Sequence, residues 1–163
     1  MTSINELQFL EFSKELAKYF KTINQQWIEK MFTMESLDED ILSHPKKLVI
    51  EPGGRIWFAK HPSLGVVGTC AILKKSTGVF ELTKMGVLDE ARGLKIGEKL
   101  LQHALANIEA MNLDCLFLLT NSKCEAAIHL YEKNGFFHDP EILNHFGEAY
   151  SRCNVAMRYR KAQ

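Results

Sequence analysis

Apolar residues change their spacing along this chain, and the changes mark out its elements. Residues 7–12 form a short, mostly apolar segment suited to a first strand. From Ser13 onward, Leu16, Phe20, Ile23 and Trp27 recur at helical spacing, which predicts an amphipathic helix. A second short helix is expected over residues 35–42, stopped by His44-Pro45, because proline pushes the residue before it out of helical geometry. Pro52-Gly53-Gly54 marks a turn. Residues 55–59, 66–73 and 79–87 then read as strands, separated by His61-Pro62-Ser63 and Ser76-Thr77-Gly78. Gly86, near the end of the last of these, signals a bulge or a close backbone approach.

A long helix follows, with Ile96, Leu100, Ala104, Ile108 and Met111 along one face. Residues 115–119 are continuously apolar, as expected for a strand covered on both faces. Residues 124–133 read as a helix ended by Asn134-Gly135 in a left-handed cap. Phe136-Phe137 opens a short strand, residues 140–150 are expected to form a loop, and residues 152–159 the last strand. The hairpins must be antiparallel, whereas the strands flanking the long helix can be parallel. The order predicts an α+β, three-layer α/β/α fold: a mixed, mostly antiparallel sheet of about seven strands with helices on both faces. No repeat or linker divides the 163 residues, so one domain over 1–163 is expected.

Composition removes several functions. Twenty basic and twenty acidic side chains give a formal net charge of zero. That balance argues against a nucleic-acid binder and against a polybasic membrane anchor. The stretch from Met1 to Glu6 lacks a basic start and apolar run, and no apolar run approaches the roughly 20 residues that span a bilayer. The four cysteines have no CxxC spacing, and Cys70 and Cys115 sit in apolar runs, so a reduced, cytoplasmic protein is expected. The six histidines show no HExxH or other metal spacing, and no metal site is expected.

Candidate chemistry concentrates in residues 81–100, where a strand runs through a loop with Gly93 and Gly97 into the long helix. The first turn of a helix exposes unpaired N–H groups and partial positive charge, a site for phosphate oxygens. Glycines let a ligand approach the backbone, and Arg92 and Lys95 add charge. An ordinary strand-to-helix connection with a solvated basic loop accounts for the same residues. The segment is neither a P-loop nor a GxGxxG fingerprint.

Residues 92–97 resemble the first motif of the GNAT family of N-acetyltransferases: Arg or Gln, any two residues, Gly, any residue, then Gly or Ala. Arg92 and Gly97 occupy its ends, and Lys95 stands where the family usually has its first glycine. Downstream, Ala127, Leu130, Tyr131, Gly135 and Phe136 are similar to the family's A-x-x-L-Y-x-x-x-G-F signature. Cys124 replaces an asparagine frequent in relatives, and Asn121 is a candidate substitute. Residues 150–157 resemble the family's last strand. The likeness covers most of the chain after about Arg55 and, more loosely, the two N-terminal helices.

The resemblance implies acetyl-CoA as cofactor and direct acetyl transfer to an amine in a ternary complex, without an acyl-enzyme. It implies a bulge whose backbone, at Met85, Gly86 and Val87, contacts the cofactor and stabilises developing oxyanion charge. Arg92, Gly93, Leu94, Lys95, Ile96, Gly97 and Glu98 are the expected pyrophosphate site, with Asn121, Ala127 and Tyr131 beside the pantetheine. Tyr131 is the implied acid for the departing thiolate; a phenol with a reference pKa near about 10 stays protonated at neutral pH.

An amine with a pKa near about 10.4 costs roughly 4–5 kcal/mol to deprotonate at neutral pH, so a base or a water relay is useful. Glu81, six residues before Val87, stands where the histone-acetylating branch carries its glutamate; a surface carboxylate paired with a lysine is its structural alternative. A Cys124–His129 nucleophile is disfavoured, because five-residue spacing does not share a helix face. The acceptor, a small molecule or a peptide, is expected to meet the first two helices and the loop before the last strand. These offer Trp27, Met31, Phe32, Asp38, Glu39, Asp40, Glu141, His145, Phe146, Glu148 and Tyr150. The carboxylates from Glu35 to Asp40 read either as an attraction for a cationic amine or as a helix N-terminal charge cluster. A homodimer is left open, as is a non-catalytic acyl-CoA-binding regulator on the same scaffold. A plain interaction domain leaves the glycine-bearing loop unexplained.

Overall fold

The computed structural model describes residues 6–160. Its strands are β1 (Gln8–Glu11), β2 (Arg55–His61), β3 (Gly65–Ser76), β4 (Val79–Val87), β5 (Cys115–Thr120), β6 (Phe136–His138) and β7 (Val155–Tyr159). Its helices are α1 (Ala17–Met31), α2 (Ser36–Ser43), α3 (Ile96–Glu109), α4 (Glu125–Lys133) and α5 (Pro140–Phe146). The strands form one seven-stranded sheet in the order β1-β2-β3-β4-β5-β7-β6. Only β4 and β5 pair in parallel; every other neighbouring pair is antiparallel.

Alternation along β2 sorts the two faces. Trp57 and Ala59 join the core beneath α3, which contributes Ile96, Leu100, Leu101, Ala104 and Ile108. Ile56 and Phe58 face the other way, onto Phe20, Ile23 and Ile28 of α1 and Ile41 and Leu42 of α2. The apolar run of β5 serves both faces, because Leu116 and Leu118 join the α3 core while Phe117 packs with Ile142 of α5. Each of these fully buried large side chains contributes roughly 1.5–3 kcal/mol. A mixed, mostly antiparallel sheet between two helical layers is therefore the observed architecture.

Two expectations need correction. Residues 140–150 are not a loop: α5 forms there, with Asp139 accepting from the Glu141 amide and Pro140 at the first helical position. The last strand begins at Val155 rather than 152, because Arg152 turns away from the sheet toward α2. The second helix does stop at His44, as expected, and Pro45 then opens a separate five-residue π-helical turn at Lys46–Ile50, where its missing N–H costs nothing. Met111 lies just past α3 yet still packs on the core. Among the described residues, no helix is long and apolar enough to cross a membrane.

Candidate active site

The parallel pairing of β4 with β5 runs only from Val79↔Cys115 to Leu82↔Leu118. Beyond it, Leu119 and Thr120 pair with β7, and Thr83 to Val87 have no β5 partner. The strands splay apart. A cleft of about 320 Å³ opens between them, lined on one side by Leu82 to Val87 and on the other by Leu118 to Asn121.

A bulge directs the β4 wall. Between Thr69↔Gly86 and Ala71↔Thr83, β4 advances one residue more than β3. Lys84 takes up the excess with a left-handed φ of 52°. Gly86 is required for a different reason. A Cβ there would overlap the Trp27 ring, with Nε1 at 2.8 Å, so only glycine lets α1 lie against the bulge.

Past β4, a turn leads to Lys95, also left-handed at φ 60°, and then into α3. This accounts for the glycine usual at this point of the motif: the position demands the conformation glycine adopts freely, and lysine holds it at a cost of roughly 1 kcal/mol. Among the described residues no side chain caps this helix end, so the amides of its first turn remain available to a ligand. Gly97 faces the cleft wall, with Val87 Cγ2 at 3.6 Å and Met85 Cε at 3.9 Å from a built Cβ. Glu98 is bound to Lys133 at 3.0 Å and to Asn134.

The expected site residues divide between two surfaces. Glu81, Met85, Gly86, Val87, Arg92, Asn121, Ala127 and Tyr131 all line the cleft. Gly93, Leu94, Lys95 and Ile96 instead border a second depression beside Leu64. Arg92 is held by Asp89, its Nε 2.9 Å from Oδ1. The Asn121 side chain is already engaged, donating to the Arg152 carbonyl at 2.6 Å and accepting from the Lys123 amide at 2.8 Å.

Tyr131 projects from α4 with its hydroxyl 3.9 Å from Met85 Sδ, a weak acceptor. Burial first, then the neighbouring Cys70 and Cys124, raises its pKa well above the usual phenol value. Its proton is therefore retained at neutral pH, and the residue lines the cleft. Glu81 is 3% exposed. Burial raises its pKa, offset in part by Lys75, whose ammonium lies 3.7 Å away, and by Lys84. It is no surface carboxylate, although a lysine does face it.

Sequence reasoning missed the charge cluster behind the cleft. Lys84 Nζ donates to Asp38 Oδ1 at 2.6 Å and to Tyr150 Oη at 2.9 Å. Arg152 forks onto the same carboxylate at 2.7 and 2.8 Å and also reaches Glu35 at 3.2 Å. Asp38 accepts in addition from the Glu35 amide at 2.9 Å. Burial pushes this carboxyl up, but Arg152 and Lys84 outweigh it and bring its pKa down from 3.8 to about 2. Of the carboxylates weighed for the acceptor, Asp38 is thus consumed internally. Glu39, Asp40, Glu141, His145 and Glu148 are exposed away from the cleft, and Phe146 stacks on Phe117. Trp27, Met31, Phe32 and Tyr150 do line it. The signal for Lys84 was present: a lysine inside an otherwise buried strand requires a partner.

Residues 52–137 match the family model described as an acetyltransferase (GNAT) domain. Similar solved structures include an acetyltransferase of the GNAT family from Staphylococcus aureus Mu50, at TM-score 0.82 and 22% identity, covering 94% of this chain and 98% of that one. An acetyltransferase from Streptococcus agalactiae 2603 aligns at TM-score 0.77 and 18% identity, over 95% and 98% of the two chains. The PaiA N-acetyltransferase of Thermoplasma acidophilum, solved in complex with coenzyme A, aligns at TM-score 0.69 and 15% identity, over 96% and 99%. No curated protein sequence matches the chain. With the family model spanning more than half of its length and the same fold throughout, the chain belongs to the GNAT acetyltransferase family.

Proposed function

We propose that this protein is an acetyl-CoA-dependent N-acetyltransferase acting on a primary amine. The observation that carries the reading is the splay of β4 from β5, which leaves the β5-facing edge of Thr83 to Val87 without a strand partner beside an uncapped helix N-terminus. A diphosphate fits the amides of that helix turn, and an extended amide-bearing chain fits the open strand edge. The PaiA structure in complex with coenzyme A adds support for this class of cofactor.

The cofactor supplies an acetyl group activated as a thioester. Amides of Ile96, Gly97 and Glu98 hold its phosphate oxygens, with Arg92 adding charge at the cleft edge. The bulged backbone at Met85 and Val87 steadies negative charge on the acyl oxygen. Glu81, directly or through water, accepts the proton that the attacking amine loses. Tyr131 donates its proton to the departing sulfur. No covalent enzyme intermediate is needed, because the cleft brings both reactants together. The cysteines, all free among the described residues, accord with a reducing cytoplasmic setting.

Thermal-shift titration and thiol detection test the reading together. Acetyl-CoA at about 100 times its Kd should stabilise the fold by roughly 2.7 kcal/mol. An absent shift removes the cofactor. A shift without thiol release over a broad amine panel leaves a non-catalytic acyl-CoA binder.

A further inference from the structure

Four cations line the cleft, and they are not equally satisfied. Lys84 and Arg152 share Asp38, and Arg92 holds Asp89. Lys123 has no carboxylate partner among the described residues. Its ammonium lies 5.6 Å from the centre of the Phe32 ring, and the Arg152 guanidinium lies 5.9 Å from the same ring. Two like charges therefore lie near the same aromatic ring at the cleft wall.

The loops that carry them are tied to each other. Asn121 bonds the Arg152 carbonyl, the Ser122 amide donates to Asn154 Oδ1 at 2.9 Å, and the Asn154 amide donates to the Thr120 carbonyl at 3.0 Å. The loops carrying Lys123 and Arg152 are thus laced together. The Lys84, Arg152, Asp38 and Glu35 cluster sums to neutral, so the charge of Lys123 is left for a ligand. Trp27 and Met31 beside them offer apolar surface, and Met31 is 38% exposed.

We infer that the acceptor is a small amine that also bears a carboxylate, an amino acid with an apolar body, whose carboxylate is held by Lys123 while its amine faces Glu81 and the bulge. This rests on the acetyltransferase reading. An ammonium without a carboxylate partner suits one, and it repels a second ammonium, which disfavours polyamines.

The test compares apolar amino acids with the amines left by their decarboxylation, using acetyl-CoA and thiol detection. The amino acid should be favoured in kcat/KM by about tenfold or more, the change set by one charge-assisted contact. In Lys123→Gln that preference should collapse through the acceptor KM, with the KM for acetyl-CoA unmoved, and Lys123→Glu should reverse it. Release with decarboxylated amines at equal or higher efficiency overturns the carboxylate subsite and leaves the acetyltransferase standing. So does a Lys123→Gln effect confined to the KM for acetyl-CoA. Absence of release with every amine sinks the parent reading instead.

Discussion

The ammonium of Lys84 lies 2.6 Å from Oδ1 of Asp38, with both side chains buried. The contact ties the bulge of β4 to the first turn of α2. Arg152 closes the arrangement from the segment before β7. Removing one member of such a cluster leaves an uncompensated charge in the interior.

Asp38→Asn should accordingly cost about 3–5 kcal/mol in denaturant unfolding. The intact cluster also sets an acid limit. The folded pKa of Asp38 lies below its unfolded value, so its stabilisation is complete above about pH 4 and is lost as pH falls toward about 2. Its contribution at neutral pH is about 2 kcal/mol. Unfolding followed across that range should show a loss that Asp38→Asn lacks.

Glu81 should govern the acid side of the rate profile. A base works only when deprotonated, and burial raises the pKa of Glu81. Activity should therefore fall as pH drops through a value above the ordinary carboxylate range. Glu81→Gln should lower kcat/KM by about 10²-fold or more and erase that limb. An unchanged profile assigns the proton to a water relay with no help from Glu81.

Lys95→Gly should raise stability by about 1 kcal/mol by removing a side chain from left-handed backbone. The same variant separates conformation from charge. If the ammonium helps bind phosphate, the KM for acetyl-CoA rises even as the melting temperature does.

Gly86→Ala should destabilise by about 1–3 kcal/mol, because the new methyl collides with Trp27. Trp27→Ala in the same chain should restore part of the loss. Additive losses would place the strain elsewhere.

Periodicity made the strands and main helices legible, because each buries a continuous face whose spacing follows from its own geometry. The Glu81 to Leu100 segment and the Tyr131 helix were legible as motifs. Two features were not. α5 is short, and its Asp139-Pro140 start is also a turn signal, so propensity alone did not separate helix from loop. The Lys84–Asp38–Arg152 cluster joins residues 46 and 114 positions apart, and no local pattern encodes such a meeting. Gly86 was legible as a close approach, but Trp27 as its neighbour was not.

Thiol release from acetyl-CoA, measured for the native chain and for Tyr131→Phe, tests the central claim most directly. Release should require an amine, and the variant should lose about 10²-fold in kcat with little change in cofactor affinity. Undiminished turnover in Tyr131→Phe, or cofactor binding with no amine-dependent release at all, would contradict it.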